Sequence, residues 1–245
     1  MFENWDETII WSCVQGVMGE VHTNVTEDAA MAILGDFAFF AGNPSEELVR
    51  LAPISCKPDF IIMVPQNERW AQLIRQCYGD RAKQVVRYAT KKEKDIFDTA
   101  KLEQAVSTLA AGYELRLIGE AEYNMCRSKG WSKDLVSQYG DYATYNKLGL
   151  GVAVLKDKEL VAGASSYSRY REGIEIEIDT REDYRRNGLA YACGAKLILE
   201  CLKRGLYPSW DAQNRCSLAL AEKLGYHFSH EYVAYEVAID SLEKC

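Results

Sequence analysis

The sequence lacks the features that mark metal-binding, disulfide-bonded and exported proteins. None of its eight Cys forms a Cys-x-x-Cys pair, so we expect reduced thiols rather than a disulfide framework or a zinc site. It has only three His, and no Cys or carboxylate completes a metal set around His227 and His230. The first residues, MFENWDETII, lack the basic-then-apolar pattern of a signal peptide. These absences predict a cytoplasmic protein with no bound metal.

The apolar runs of the sequence are too short for a membrane-spanning helix, and its positive charge is too low for a nucleic-acid binder. No uninterrupted apolar run reaches the ~18 residues that a spanning helix needs. The net charge of −7 disfavours nucleic acid as the main partner, because phosphate binding needs a basic face. The 245 residues are 48% hydrophobic and 27% charged, which predicts a soluble chain of one or two domains.

The stretch from residue 174 to 204 is the most informative part of the chain. Residues 174–179, IEIEID, alternate between Ile and acidic residues, which is the period of a half-buried strand. The turn RRNGLA, residues 185–190, follows, and an apolar helical run comes directly after it. This order places an anion site at a helix N-terminus, although an ordinary strand-to-helix connection has the same pattern. The dinucleotide and P-loop patterns, Gly-x-Gly-x-x-Gly and Gly-Lys-Ser/Thr, are both missing.

The spacing Arg185-x-x-Gly188-x-Ala190 resembles the acyl-CoA pyrophosphate loop of the GNAT N-acetyltransferase superfamily, Gln/Arg-x-x-Gly-x-Gly/Ala. A second motif, WDAQN at 210–214 followed by Ser217 and AEKLGY at 221–226, is similar to the signature that follows strand five in that superfamily. Two motifs in the right order are more specific than either alone. The segments IDT, YRRNGLA and YPSWDAQN look most like bacterial enzymes related to the self-resistance acetyltransferase for the antibiotic zwittermicin.

The order of predicted elements agrees with the resemblance. From Tyr113 the patterns predict a strand, helices over 120–129 and 132–139, three strands, a helix, a strand, a helix and a final strand, which is the GNAT order. The first half is predicted to contain two strands between residues 19 and 42, a buried strand at 60–64, a helix near Trp70, a strand from residue 85 and a helix over 97–111. The fold class is therefore α/β (an α+β mixed sheet), with a GNAT domain over 111–245 and a smaller α/β domain over 1–110.

The first domain is either a degenerate repeat of the second or similar to it by chance. Gln66-Asn67 and Gln213-Asn214 each follow a short strand and precede a helix. No Arg-x-x-Gly-x-Ala loop occurs between Ala41 and Phe60. We therefore predict one cofactor site, in the C-terminal half.

The resemblance implies acetyl-CoA as the co-substrate, held by backbone groups of the strand and of the loop after it. The residues so implied are Ile178, Thr180, Arg185, Arg186, Asn187, Gly188, Leu189, Ala190, Asn214 and Ser217. Of these, Asn214 also fits a simple helix cap, and both roles can hold at once.

The catalytic groups are less well defined by the sequence. Glu175 and Glu177 lie on the face opposite the Ile residues and are candidates for the general base, or they belong to a solvated strand face. A Tyr common in the superfamily just before the Glu-Lys pair is Ala221 here. Tyr226 is the nearest other phenol, and the alternative is that it fills the core. Cys193 and Cys216 flank the site, but buried inert thiols fit better than nucleophiles.

Two functions remain open at this point. The first is an N-acetyltransferase that moves acetyl from acetyl-CoA directly to a primary amine of a small molecule, as a monomer or homodimer. The second is a non-catalytic acyl-CoA-binding sensor or interaction module, which the missing Tyr supports. The aromatic residues Trp131, Tyr139, Tyr142 and Tyr145 either line the acceptor pocket or pack in the core.

Overall fold

In a computed structural model, residues 1–55 and 60–239 are described. The helices are α1 Thr8–Val14, α2 Glu46–Ser55, α3 Glu68–Tyr78, α4 Thr99–Ser107, α5 Glu120–Ser128, α6 Tyr142–Leu148, α7 Leu189–Lys203 and α8 Arg215–Leu224. The strands are β1 Glu20–Thr23, β2 Ala29–Leu34, β3 Phe37–Gly42, β4 Phe60–Pro65, β5 Ala82–Thr90, β6 Tyr113–Leu117, β7 Gly151–Lys156, β8 Glu159–Tyr170, β9 Gly173–Thr180, β10 Tyr207–Ser209, β11 Asp211–Ala212 and β12 Phe228–Ala238. Short 3-10 turns lie at Gly79–Arg81, Lys133–Leu135 and Glu182–Tyr184. No helix within these described ranges is long and apolar enough to cross a membrane.

Contacts divide the chain into two compact units. The first unit is Met1–Tyr88 with His230–Cys245, and the second unit is Ala89–Ser229. Helix α4 belongs to the second unit, where it packs against α7. The predicted division of the sequence between residues 110 and 111 therefore differs from these contact-defined units and stays a prediction.

The first unit is built on a sheet with strand order β1-β2-β3-β4-β12-β5. Strands β3 and β4 are parallel, whereas β1–β2, β2–β3 and β4–β12 are antiparallel. Its core packs Phe40 against Trp70, with ring centroids 5.2 Å apart, and both side chains are fully buried. The region from residue 19 to 42 holds three strands rather than the predicted two, because β2 and β3 form a hairpin of their own.

The second unit contains a five-stranded sheet with the order β10-β9-β8-β7-β6. Every pair is antiparallel except β9–β10. The apolar helix α7 packs on β7, β8 and β9. Beside Gly163 of β8, Leu135 occupies the space that a Cβ there would take, at 2.7 Å. Strands β7 and β8, two of the three strands predicted here, form a hairpin whose turn residues Asp157 and Lys158 both have positive φ, as a tight two-residue turn requires.

Two predicted helices of the second unit differ in the structure. The helix predicted over 132–139 is wrong, since only Lys133–Leu135 forms a 3-10 turn. The hydroxyl of Ser132 donates to the carbonyl of Cys126 and ends the preceding helix instead. Helix α4 ends at Ser107, short of the predicted residue 111. Helix α6 was not predicted, although Asp141 caps it by accepting the backbone N–H of Thr144 at 2.7 Å.

Candidate functional site

Strands β9 and β10 separate after three paired positions. Tyr207, Pro208 and Ser209 pair with residues 173–175, and the next residue, Trp210, leads into β11, which is not part of the five-stranded sheet. Trp210 is 2% exposed, and its carbonyl accepts a hydrogen bond from the hydroxyl of Thr90 at 2.6 Å. The rest of β9, from Ile176 to Thr180, keeps its partner β8 on one side only. The other side of β9 from Ile176 to Thr180 therefore has no strand partner among the described residues, and we refer to this unpaired edge as the cleft.

The register of β8 and β9 shows which backbone groups face this cleft. Arg181 donates its N–H to the carbonyl of Val161 at 2.9 Å, directly opposite it in the register. Hydrogen-bonded and non-hydrogen-bonded pairs alternate along an antiparallel ladder. Asp179 and Glu177 therefore bond to β8, and the N–H and C=O groups of Ile178 and Thr180 point away from it. These two are the strand residues that the resemblance assigns to the cofactor arm.

Side chains meet these edge groups in the structure. The carboxylate of Asp179 accepts the N–H of Thr180 at 2.6 Å, and that of Glu177 accepts the N–H of Ile178 at 3.2 Å. The guanidinium Nε of Arg185 donates to the carbonyl of Thr180 at 3.4 Å. Burial raises the pKa of Asp179, against the lowering effects of the Thr180 N–H and of the Arg185 charge.

The loop between β9 and α7 has the backbone of an anion cradle. Arg186 and Gly188 have φ of 63° and 76°, and Gly188 is the N-cap of α7. No side chain among the described residues caps this helix end, so its first N–H groups point outward without an intrahelical partner. A Cβ built on Gly188 would meet no atom within 4 Å. Asn187 turns its side chain to the carbonyl of Tyr184 instead, at 3.1 Å.

Helix α8 brings the second sequence motif beside the cleft. Asn214 is its N-cap and accepts the N–H of Ser217 at 2.9 Å. The hydroxyl of Ser217 accepts the indole N–H of Trp210 at 3.1 Å. The ammonium of Lys223 lies 4.1 Å from the ring centroid of Tyr191, in the first turn of α7. The helix-cap interpretation of Asn214 is thus present in the geometry, and its contact with a cofactor stays a prediction.

The two candidate bases occupy different environments. Glu175 is 6% exposed, and its carboxylate accepts the N–H of Asp211 at 2.7 Å, where β9 and the chain after β10 part. Glu177 is half-buried on the open part of β9, opposite Ser165 of β8. Glu175 therefore binds the backbone of Asp211 at the position where the cleft begins. Glu177 lies further along β9, beside the cleft.

The candidate acid and the cysteines are parts of the core. Tyr226 is 1% exposed and donates its hydroxyl to the carbonyl of Pro208 at 2.6 Å, and burial raises the pKa of its phenol well above the ordinary value. Ala221 is fully buried. Cys193 is also fully buried, with its thiol pKa raised by burial, and Cys216 is exposed on α8. The catalytic role of Tyr226 stays a prediction that its burial disfavours.

The aromatic residues between α5 and the end of α6 fall into two groups, one buried and one partly exposed. Tyr139 and Tyr145 are buried, and their hydroxyls contact Ser166 and Ser165 of β8 at 2.6 and 2.9 Å. Tyr142 and Trp131 are partly exposed. The first two are core residues of the second unit, which leaves the others as the aromatic candidates for an acceptor pocket.

The first unit repeats the local geometry without the cleft. Asn67 caps α3 with φ and ψ of −159° and 176°, and Asn214 caps α8 with −160° and 172°. In the first unit, however, β3 and β4 stay paired up to Phe40 and Pro65. The side chain of Gln66 then accepts the N–H of Gly42 at 3.0 Å. A cavity of about 690 Å³ in this unit is lined by residues of the first unit alone, among them Trp5, Gln66 and Tyr235.

The sequence pattern does not single out Asp179, which lies in the alternating stretch as one of its three acidic residues. Its signal was available, since it is the acidic residue between the two implied cofactor contacts, Ile178 and Thr180. A carboxylate adjacent to an unpaired strand N–H commonly accepts it. The predicted loop residues 185–190 do lie together at the N-terminus of α7.

Comparison with known proteins places the chain among acetyltransferases. A GCN5-related N-acetyltransferase-like protein from Streptococcus suis 89/1591 is 45% identical, with a TM-score of 0.91 over 96% of this chain and 95% of that one. A GCN5-related N-acetyltransferase from Kribbella flavida, 13% identical, has a TM-score of 0.58 over 95% and 96% of the two chains and shows the fold alone.

A curated relative matches over a shorter stretch. The uncharacterized N-acetyltransferase YdfB of Bacillus subtilis (strain 168) is 39% identical over 89 residues, which are 36% of this chain and 34% of that protein. The match thus spans about a third of the relative's length. The family model described as GNAT acetyltransferase matches residues 1–235. With the split strands, the loop before α7 and these similarities together, the chain belongs to the GNAT acetyltransferase family and has its fold.

Proposed function

We propose that this protein transfers an acetyl group from acetyl-CoA to a primary amine of a small molecule, by direct transfer. One observation carries the proposal: an open strand edge at Ile178 and Thr180 leads, through one short loop, into a helix N-terminus that no described side chain caps. In the second unit the unpaired edge of β9 is followed directly by the N-terminus of α7. In an acyl-CoA the peptide-like pantetheine arm is likewise followed directly by the diphosphate.

The residues present fit such a co-substrate. A peptide-like arm can add to a strand edge through alternating N–H and C=O groups, which Ile178 and Thr180 supply. A diphosphate fits the first N–H groups of a helix, where the dipole also favours negative charge. Gly188 has open space where any other residue would place a Cβ, so the backbone is accessible to a bulky anion.

Direct transfer also needs a group that accepts the proton of the amine. We assign this role to Glu177, because it is half-buried on the unpaired part of β9 and its contact with the N–H of Ile178, at 3.2 Å, is longer than the 2.7 Å contact that holds Glu175 to Asp211. The carboxylate takes the proton directly or through one water molecule. Strand-edge N–H groups supply the hydrogen bonds that polarise an acyl oxygen.

A second candidate function is an acyl-CoA-binding sensor that does not turn over. It is supported by Ala221, which occupies the position of the common Tyr, and by Tyr226, whose hydroxyl is bonded to Pro208 inside the core. Both functions use the same loop, so binding alone does not separate them. Turnover with an amine does.

The acceptor is proposed to be cationic, since the carboxylates of Glu175, Glu177 and Asp179 share one face of β9 and the net charge of the chain is −7. The relationship to zwittermicin-resistance enzymes, a cytoplasmic location and a monomeric or homodimeric state remain predictions.

The test combines a thermal-shift assay with a thiol-release assay, using acetyl-CoA and a panel of small primary amines. The variant is Gly188→Glu, and its matched control is Gly205→Glu. Both glycines belong to the second unit, both have positive φ, 76° and 65°, and neither has an atom within 4 Å of a built Cβ. The two variants therefore carry the same kind of backbone strain, but only the first blocks the loop.

We expect acetyl-CoA at 100 times Kd to stabilise the wild type and Gly205→Glu by about 2.7 kcal/mol, and to leave Gly188→Glu unshifted. Thiol release with any amine establishes the enzyme. Stabilisation without release across the panel favours the sensor. If acetyl-CoA stabilises none of the proteins, or stabilises Gly188→Glu as well, the loop is not the cofactor site.

A further inference from the structure

Thr180 is the last residue of β9, and both of its backbone groups that face the cleft are occupied by side chains. Asp179 holds the N–H at 2.6 Å, and Arg185 holds the carbonyl at 3.4 Å. An acceptor on the N–H and a donor on the C=O are what a neighbouring strand would supply. The two side chains thus take the place of a missing strand.

The same residue carries a separate unsatisfied group. The side-chain hydroxyl of Thr180 is buried and has no hydrogen-bond partner among the described residues. Buried hydroxyls are normally paired, so an unpaired one here points to a partner outside the described residues. This observation is independent of the backbone contacts of Thr180.

We propose that Asp179 and Arg185 form a clasp over Thr180 that competes with the acyl-CoA arm for the edge of β9. The inference rests on the proposed function, since it takes that arm as the ligand. Binding has to remove the carboxylate of Asp179 from the N–H of Thr180, and the affinity for CoA is lowered by the strength of that contact. Asp179 is therefore a residue that sets cofactor affinity without being needed to hold the cofactor.

Charged residues around Asp179 can interact with its carboxylate once it leaves the N–H of Thr180. The positive charge of Arg185 lies close enough to lower its pKa, and the negative charge of Asp134, on the 3-10 turn packed against β9, raises it. Glu177 is the adjacent acidic residue on the same face of the strand. Arg185, freed from the carbonyl of Thr180, is a cation whose charge already acts on the carboxylate of Asp179 and is also available to a phosphate.

The test uses Asp179→Ala, which removes the acceptor, and Asp179→Asn, which keeps a neutral and weaker acceptor. Asp183→Asn is the matched control. It removes one negative charge four residues further along, in the turn that follows β9, where Asp183 pairs with Arg181 at 2.7 Å. Two quantities are measured: amide hydrogen exchange at Thr180 in the ligand-free protein, and the Kd for CoA by calorimetry.

We expect the amide of Thr180 to exchange slowly in the wild type and in Asp183→Asn, and faster by on the order of tenfold in Asp179→Ala. The Kd for CoA should fall about five- to tenfold in Asp179→Ala, by a smaller factor in Asp179→Asn, and by less than about twofold in Asp183→Asn. If Asp179→Ala does not fold, the comparison is made between the wild type and Asp179→Asn. The clasp then predicts faster exchange of the Thr180 amide and a lower Kd for CoA in Asp179→Asn.

Equal Thr180 exchange in the wild type and Asp179→Ala would overturn the clasp, as would a Kd change no larger than that of Asp183→Asn. A wild type that does not bind CoA at any concentration would instead overturn the proposed function. The two failures are thus distinguishable, because the exchange measurement needs no ligand.

Discussion

The carboxylate of Glu175 accepts the backbone N–H of Asp211 at 2.7 Å, at the position where β9 loses its neighbour. Beyond this position the chain after β10 no longer follows β9, so the N–H of Asp211 has no strand carbonyl of β9 in the paired register. The side chain takes the place of that carbonyl while being only 6% exposed. Glu175, a candidate base, is thus also the residue whose side chain binds the backbone where β9 and the chain after β10 separate.

The two roles of Glu175 are separated by two substitutions. Glu175→Gln keeps an oxygen acceptor for Asp211 and should cost less than about 1 kcal/mol of unfolding free energy, whereas Glu175→Ala removes this acceptor from the part-buried N–H of Asp211 and should cost about 1–3 kcal/mol. Urea denaturation measures both. We expect Glu175→Gln to retain acetyl transfer within a few fold, and Glu177→Gln to lose about a hundredfold. The reverse order of activities would make Glu175 the base.

The paired helix caps provide a second prediction. Asn67→Ala and Asn214→Ala should each lower the free energy of unfolding by about 1 kcal/mol, because each removes the side-chain acceptor from the first turn of α3 or α8. Only Asn214→Ala should also weaken acetyl-CoA binding, as measured by calorimetry. Equal affinities for the two variants would restrict Asn214 to its capping role.

Tyr226→Phe tests the candidate acid. Removing the hydroxyl leaves the buried carbonyl of Pro208 without its donor, so we expect a loss of about 1–3 kcal/mol in unfolding free energy. The pH profile of kcat should keep its shape, since a core phenol does not exchange protons with a substrate. A profile whose alkaline limb disappears in Tyr226→Phe would instead assign the phenol to proton transfer.

Glu200 gives the second unit a predictable dependence on pH. Burial by itself raises the pKa of this carboxyl, but hydrogen bonds from Arg204 and Lys196, with Lys203 nearby, lower it from 4.5 to about 2. A lowered folded-state pKa means that the contribution to stability is present above pH ~4.5 and is lost as the pH falls toward ~2. Thermal melts of Glu200→Gln should lie below those of the wild type at pH 7 and converge with them near pH 2. A constant difference across that range would refute the assignment.

The elements that the sequence predicts correctly are those with a local cause. The Ile and acid alternation gives β9, and Asn214 gives the cap at which α8 begins. The loop before α7 was predicted from spacing that only the resemblance makes specific. In each case the residues that determine the structure are close together in the sequence.

The features that escaped prediction depend on distant partners. The segment 132–139 has helical composition, but Tyr139 reaches the hydroxyl of Ser166 on β8, and that tertiary contact overrides the local preference. The side-chain contacts of Asp179 and Arg185 with Thr180 depend on where β9 loses its neighbour, and nothing in the strand pattern reports that position. The grouping of β12 with the first unit likewise depends on its pairing with β4, far away in sequence.

Strands β3 and β4 limit any attempt to engineer the proposed cofactor site into the first unit. Four consecutive positions pair between them, from Phe37 with Ile62 to Phe40 with Pro65, and the side chain of Gln66 extends the closure to Gly42. If the RRNGLA loop holds the diphosphate as proposed, grafting it into the first unit would place it beside paired strands, without the unpaired strand edge that is proposed to hold the rest of the cofactor. A bifunctional variant would need a residue that diverts β4 toward a different neighbour, in the way that Trp210 does after β10, before any loop exchange has a purpose.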